Sequence, residues 1–280
     1  MLQINEMIAA LAQSDPDARR AALEELLCTA KLPYTIQKGQ HNPKKLCVSE
    51  NFLVKIGDPQ DPCVLFCAHY DAVHGSCGAN DNAAAVCVLI SLATALNERG
   101  IPAEFAFFDG EESGRGGSKL YARELDKKSV TAVVNVDLCG YGDTIAMLSK
   151  GSGRKNAVHG FYSKEILKKY SVTAVKYLPE SDDASFSGLQ IPIISLAVVP
   201  RWDVQFLNAL ASYGGGLLGR PPEFEQMQQQ MEITTTMHGG FRDTVESIQP
   251  EATELMYNYL LEAVTAPKQQ KTSIFSKIRT

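Results

Sequence analysis

His69 and Asp71 stand one residue apart at the end of the run CVLFCAHYD. Asp81 follows twelve residues after His69, inside GANDNAAA. Glu111 and Glu112 sit in FAFFDGEESGRGGS, directly behind another apolar run. Asp137 closes VTAVVNVDL (130–138), and His238 lies in TMHGGFRDT. Each has an ordinary explanation when taken singly. An isolated HxD is often structural, a Glu-Glu pair is usually solvated, and Asp81 could simply cap the helix behind it. As an ordered set they imply different chemistry. Carboxylates that converge repel one another unless cations hold them together. Imidazole nitrogens mixed with carboxylate oxygens suit zinc.

The elements needed to position such a set are legible around it. Residues 3–30 read as two helices, the second opening at Ser14-Asp15-Pro16 with Leu23, Leu26 and Leu27 on one side. FLVKI (52–56), CVLFCA (63–68), AEFAFF (103–108), VTAVVNVDL (130–138) and IPIISLAVV (191–199) read as strands. Helices are expected over 82–100, 118–125, 164–170 and from Pro250 onward. This alternation predicts an α/β fold, a three-layer α/β/α sandwich with a mostly parallel mixed central sheet and helices on both faces. In such a sheet the carboxyl ends of the strands open onto one crevice, where ligands bind. His69, Glu111, Glu112 and Asp137 all follow strand ends. Residues 200–237 fit less well. Gly214-Gly215-Gly216, Pro221-Pro222 and a glutamine-rich helix around 226–230 suggest an irregular insertion passing over the sheet edge near the site.

The motifs CAHYDAV (67–73), GANDNAAA (78–85), FFDGEESGRGGS (107–118), VVNVDLCG (133–140), SDDASFSGLQIP (181–192) and MHGGFRDTVESI (237–248) occur in this order. Together they resemble the co-catalytic dizinc exopeptidase family that contains the secreted leucyl aminopeptidases and aminopeptidase Y. The resemblance covers residues 45–265 and implies a zinc peptidase-like fold. It implies two zinc ions per chain, with His69 and Asp137 on one, Glu112 and His238 on the other, and Asp81 bridging both. Glu111 would be the general base, and Asp71 would accept a hydrogen bond from His69. Charge then balances, since three ligating carboxylates and a bridging hydroxide offset two divalent ions. Glu111 adjoins a ligand without being one, so it can take the proton of the attacking water and pass it to the leaving amine. The chain departs from the family at Asp183, where a histidine is usual, and in a His238-to-Asp243 spacing one residue longer than expected. His41, His74 and His159 match no ligand position.

Composition bounds the remaining choices. The chain has 280 residues, 45% hydrophobic and 21% charged, with formal net charge -5. No Lys/Arg excess of the size of a face suggests a nucleic-acid partner. The basic residues of the 268–280 tail read as a solvated terminus, and residues 1–267 as one catalytic domain. The odd cysteine count, seven, within apolar runs suggests free thiols in a reducing compartment, hence a cytoplasmic protein. No signal peptide or membrane span is expected. The leading expectation is an aminopeptidase acting on a peptide or small aminoacyl substrate. A glutaminyl-cyclase-like acyltransferase with one zinc and a carboxypeptidase are alternatives on the same fold. A metal-free binding domain is the alternative of another class.

Overall fold

A computed structural model of the chain describes residues 3–40, 48–58, 61–151, 155–213 and 221–267. Its elements in chain order are α1 (Ile4–Leu11), α2 (Pro16–Thr29), β1 (Tyr34–Gly39), β2 (Ser49–Ile56) and β3 (Cys63–His69). There follow α3 (Ala84–Glu98), β4 (Ala103–Phe108), α4 (Gly116–Glu124), β5 (Val130–Val136), β6 (Thr144–Lys150), α5 (Lys164–Lys169) and β7 (Thr173–Ala174). The chain continues through β8 (Ile193–Val199), α6 (Asp203–Leu210), α7 (Pro222–Gln229) and α8 (Pro250–Thr265). His41, Cys47, Gly214 to Gly216 and the basic tail fall outside the described residues.

Strands that are apolar on both sides need cover on both faces. β3, β4 and β8 are buried throughout, and they lie at the centre of an eight-stranded sheet ordered β1-β2-β4-β3-β5-β8-β6-β7. The central strands β4, β3, β5 and β8 run parallel to their neighbours within this group. β1, β2 and β6 join antiparallel, which makes the sheet mixed. On one face Phe66, Val134, Leu196 and Val198 pack against α1, α3 and α8 through residues such as Leu89 and Met256. On the other face, Leu65, Cys67 and Phe108 meet Tyr121 of α4 and Phe186. Further along that face, Ala146, Ala197 and Val199 meet Leu207, Leu210 and Phe224 of α6 and α7. The architecture is therefore the three-layer sandwich that the strand–helix alternation predicts. The Ala79–Glu98 stretch is long and apolar enough to cross a membrane, but 94% of its apolar window is buried in the fold.

Three features correct the sequence expectations. The helix expected over 82–100 begins at Ala84, because Asp81 and Asn82 have non-helical φ/ψ and the peptide between them is cis. The 200–237 segment is not merely irregular. It supplies α6 and α7, whose apolar sides form a second core over β6 and β8. Three strands, β1, β6 and β7, were not visible in the sequence, since TIAMLSK and YTIQKG alternate weakly and TA is only two residues long.

At the start of α2, Asp15 accepts a hydrogen bond from the Ala18 amide at 2.8 Å, and Pro16 occupies the first helical turn. Asp15→Ala should lower stability by about 1 kcal/mol through loss of this cap. Chemical denaturation of the two proteins checks this, with an unchanged midpoint as the contrary result.

Candidate metal centre

Each candidate residue sits where a buried element meets the crevice at the carboxyl edge of the sheet. His69 is the last residue of β3 and is 1% exposed. Its Nδ1 lies 3.2 Å from the main-chain oxygen of Asp71. A proton on Nδ1 donated to that oxygen leaves the Nε2 lone pair aimed into the crevice. There Nε2 is 3.3 Å from Asp81 Oδ1 and 3.6 Å from Asp137 Oδ1. Asp137 follows β5. The other oxygen of Asp81, Oδ2, lies 4.0 Å from His238 Nε2, which is itself 3.9 Å from Glu112 Oε2. Two donor sets thus share one carboxylate, His69 and Asp137 on the Oδ1 side, His238 and Glu112 on the Oδ2 side. Donor atoms of His69, Asp81 and Glu112 all lie within 4.8 Å of one another.

The supports of these groups are equally specific. The Asp81 carboxylate does not cap α3, whose N-terminal residue Ala83 makes no side-chain cap. Instead, Oδ2 accepts a hydrogen bond from the His238 amide at 2.8 Å. His238 has φ +50 and opens the turn through Gly239, so its ring is carried over the crevice, 61% exposed. Asp243, which the sequence reading noted only for its spacing, is 3% exposed and ties this loop to the Asp81 turn. Its Oδ1 accepts from the Asn80 amide at 2.9 Å and the Asp81 amide at 3.2 Å, and its Oδ2 from Ser76 Oγ at 2.7 Å.

Asp71 has a second task besides the one expected. Its carboxylate Oδ1 lies 3.5 Å from His69 Nδ1, alongside the main-chain oxygen that the ring meets. The two carboxylate oxygens also accept from the amides of Glu111 at 3.0 Å and Glu112 at 3.1 Å. Asp71 therefore fixes the loop that presents both glutamates. Gly110, at φ +71, turns the chain between Asp109 and that loop, a conformation that costs glycine little. The acids Asp109 and Asp183 are likewise engaged. Asp109 Oδ2 accepts from the Glu50 amide at 3.0 Å, and Asp183 pairs with Lys150 Nζ at 2.8 Å.

The electrostatics show that this cluster needs positive charge. Burial pushes Glu111 up to about 9 and Glu112 up to about 8, against the pull of His69, and neighbouring carboxylates add to the rise. Burial also raises Asp182 to about 7. Burial alone would lower His69, but Asp137, Asp71 and Asp81 more than offset it and hold the imidazole well above its ordinary value. Burial alone would raise Asp137, but His69 and Ser181 hold it below. A proton on His69 and protons on the glutamates are the charge this chain finds when no other cation is at hand. Glu112 Oε1 is buried without a hydrogen-bond partner, a free lone pair next to a donor set. Imidazole nitrogen, carboxylate oxygen and an unpartnered buried oxygen fit divalent cations of borderline character.

Beside Asp137 an apolar cleft of about 50 Å³ runs along the β8 face, walled by Leu138, Leu178, Leu207, Met231, Ile233 and Met237. Of these six residues, Leu207, Met231, Ile233 and Met237 come from the 200–237 segment.

The sequence pattern of peptidase family M28 matches residues 51–264. No curated protein matches the chain in sequence. Among solved structures, the Legionella pneumophila LapA aminopeptidase is similar over 93% of this chain and 69% of that one, with 16% identity and TM-score 0.61. A Zn-dependent exopeptidase from Parabacteroides distasonis is similar over 95% of this chain and 97% of that one, with 16% identity and TM-score 0.64. The Bacteroides thetaiotaomicron glutaminyl cyclase bound to N-acetylhistamine is similar over the same shares, with 14% identity and TM-score 0.63. At these identities the likeness is one of fold.

A pH dependence follows from the raised glutamates. A carboxyl whose folded value exceeds its unfolded value binds protons more tightly in the folded state, so folding weakens as pH rises. For Glu111 and Glu112 the penalty builds from the unfolded value near 4.5 and is complete above about 9. Chelator-treated protein should melt at progressively lower temperature from pH 5 to pH 9. Added zinc should recover more of the melting temperature at pH 8 than at pH 6. A metal-free melting temperature that climbs over this range would contradict the charge reading of the site.

Proposed function

The chain belongs to peptidase family M28, and from that premise we propose that it is a zinc-dependent aminopeptidase using two zinc ions. The observation that carries the reading is the division of the Asp81 carboxylate, Oδ1 facing His69 and Oδ2 facing His238. His69, Asp137 and Asp81 would hold one ion, and His238, Glu112 and Asp81 the other. Zinc bound there would polarise the scissile carbonyl and lower the pKa of the attacking water. The structural neighbour described as a Zn-dependent exopeptidase supports the choice of metal.

The chain's own residues do the rest. Glu111, half-buried beside Glu112 and held by Asp71 through its amide, takes a proton from the attacking water and delivers it to the leaving amine. Positive charge at the ligands draws its pKa down from the metal-free value, which leaves it ionised and able to act as base. The apolar cleft at Asp137 receives the side chain of the residue being released, so leucine- or methionine-like residues are favoured.

The choice of the amino end rests on what could bind the termini. A carboxylate end is best held by an arginine fork. Arg242 is committed to Glu232 and Tyr141, and Arg115 to Glu180. Glu111, which is not a ligand, leaves a carboxylate in the crevice for an amine. Asp71, Asp109 and Asp183 are engaged elsewhere, so the amine would be bound by Glu111 and the metals and not by a general excess of acid. The order of the HYD, GAND and GEE motifs supports a place near the secreted leucyl aminopeptidases and aminopeptidase Y. The six free cysteines among the described residues support a reducing, cytoplasmic setting.

Two experiments test this function. Leucyl reporter amides should be hydrolysed, and N-acetyl-leucyl amides should not. Cleavage of N-blocked peptides from the carboxyl end, or cyclisation of N-terminal glutamine without amide hydrolysis, would replace the aminopeptidase reading with one of its alternatives. The two adjacent glutamates should also separate. Glu111→Gln should retain about two zinc ions per chain and lose kcat by roughly 100-fold or more, whereas Glu112→Gln should lose zinc. Normal turnover in fully loaded Glu111→Gln would assign the base elsewhere.

A further inference from the structure

Arg19 lies in α2, outside the residues matched by the family pattern, yet it is only 2% exposed. Its guanidinium spends its donors on main-chain carbonyls. Nε donates to Tyr70 O, Nη1 to Cys77 O, and Nη2 to Gly78 O at 2.9 Å. Nη1 also reaches Leu11 O, in the last turn of α1, at 3.3 Å. Tyr70 directly follows His69, and Cys77 and Gly78 come shortly before Asp81. One side chain therefore fastens both ends of the loop that joins two candidate ligands. Gly78 has φ +52, and a Cβ there would come within 2.6 Å of Ala72 Cβ and of the Asp81 oxygen, so the loop is drawn tightly around its acceptors.

Burial lowers the Arg19 pKa below its ordinary value, and the charges of Asp71, Asp243 and Asp81 offset only part of that. No carboxylate pairs with it directly among the described residues, so its positive field is directed at the loop and at the acids behind it. An arginine can do this where a lysine cannot, because a rigid planar fork reaches several carbonyls at once and a lysine nitrogen is a single point.

Building on the two-ion reading above, we propose that Arg19 is a positioning residue for the metal centre. It sets the spacing between His69 and Asp81 through the main chain. The N-terminal helix pair is then a working part of the site.

The test compares Arg19→Lys and Arg19→Gln with Asp15→Ala, which loosens the same helix at its cap without touching the loop. Metal-free proteins are titrated with zinc against a competing chelator, and kcat and KM are measured after loading. Loss of groups that orient metal ligands commonly weakens metal binding about 10–100-fold. Both Arg19 variants should therefore show at least tenfold weaker zinc binding and a lower kcat with little change in KM. Asp15→Ala should bind zinc within about twofold of the parent. Zinc binding unaltered in a folded Arg19 variant overturns the proposal. So does a parallel loss in Asp15→Ala, which would make the effect one of helix stability. Failure of both Arg19 variants to fold also overturns it, by making Arg19 a determinant of the whole fold. A parent protein that takes up no zinc overturns the functional reading, and this proposal with it.

Discussion

Mutual repulsion of carboxylates is the constraint around which the carboxyl edge of the sheet is built. Asp81, Glu112 and Asp137 face one small volume with two imidazoles, and Glu111 stands beside them. Two like charges 4 Å apart repel by about 4 kcal/mol even at an effective dielectric near 20. Most of these groups are shielded from water, which sharpens the conflict. The chain meets it with glutamates whose affinity for protons is raised by burial and with a layer of donors behind the acids. Those donors are chiefly main-chain amides, which stabilise negative charge without adding a mobile side chain.

The same constraint explains why the mounts are stiff. β3, β4 and β5 are buried from end to end or nearly so, and stacked Phe66 and Phe105 lock β3 to β4 beneath the site. A close-packed interior resists displacement, so ligand-bearing ends hold their places against repulsion. The loops above are tied by polar contacts. Asp71 joins the β3 loop to the glutamate loop, Asp243 joins the His238 loop to the Asp81 turn, and Arg19 joins α2 to both ends of the 70–78 loop. These ties span strands that are distant in the chain, and together they make one unit of separate segments.

The polar and the apolar parts of the site lie on opposite sides of Asp137. The polar crevice lies toward β3 and β4, and the apolar cleft lies toward β8 and the helices of 200–237. The departure at Asp183 belongs to this second side. Where the family commonly carries a histidine, this chain has a carboxylate buried against Lys150, whose ammonium keeps it from adding net charge to the cleft.

Local signals made much of this readable from sequence alone. Apolar strands, a helix-forming run and a polar residue at each strand end are encoded in short windows, so the α/β layering and the seven candidate site residues could be named from residue types and order. Their meeting is a property of the sheet, because parallel neighbours align strand ends that are far apart in the chain. The amide ties of Asp71 and the contacts of Arg19 and Asp243 were hidden from the sequence for one reason. Their partners are main-chain amides and carbonyls, groups that every residue carries and that leave no mark in a sequence. The α6 helix and the packing of both helices of 200–237 were hidden differently, since their apolar residues acquire meaning only against the face of β6 and β8 that they cover. Side-chain chemistry was written in the chain, whereas the backbone contacts that aim it existed only once distant segments had packed together.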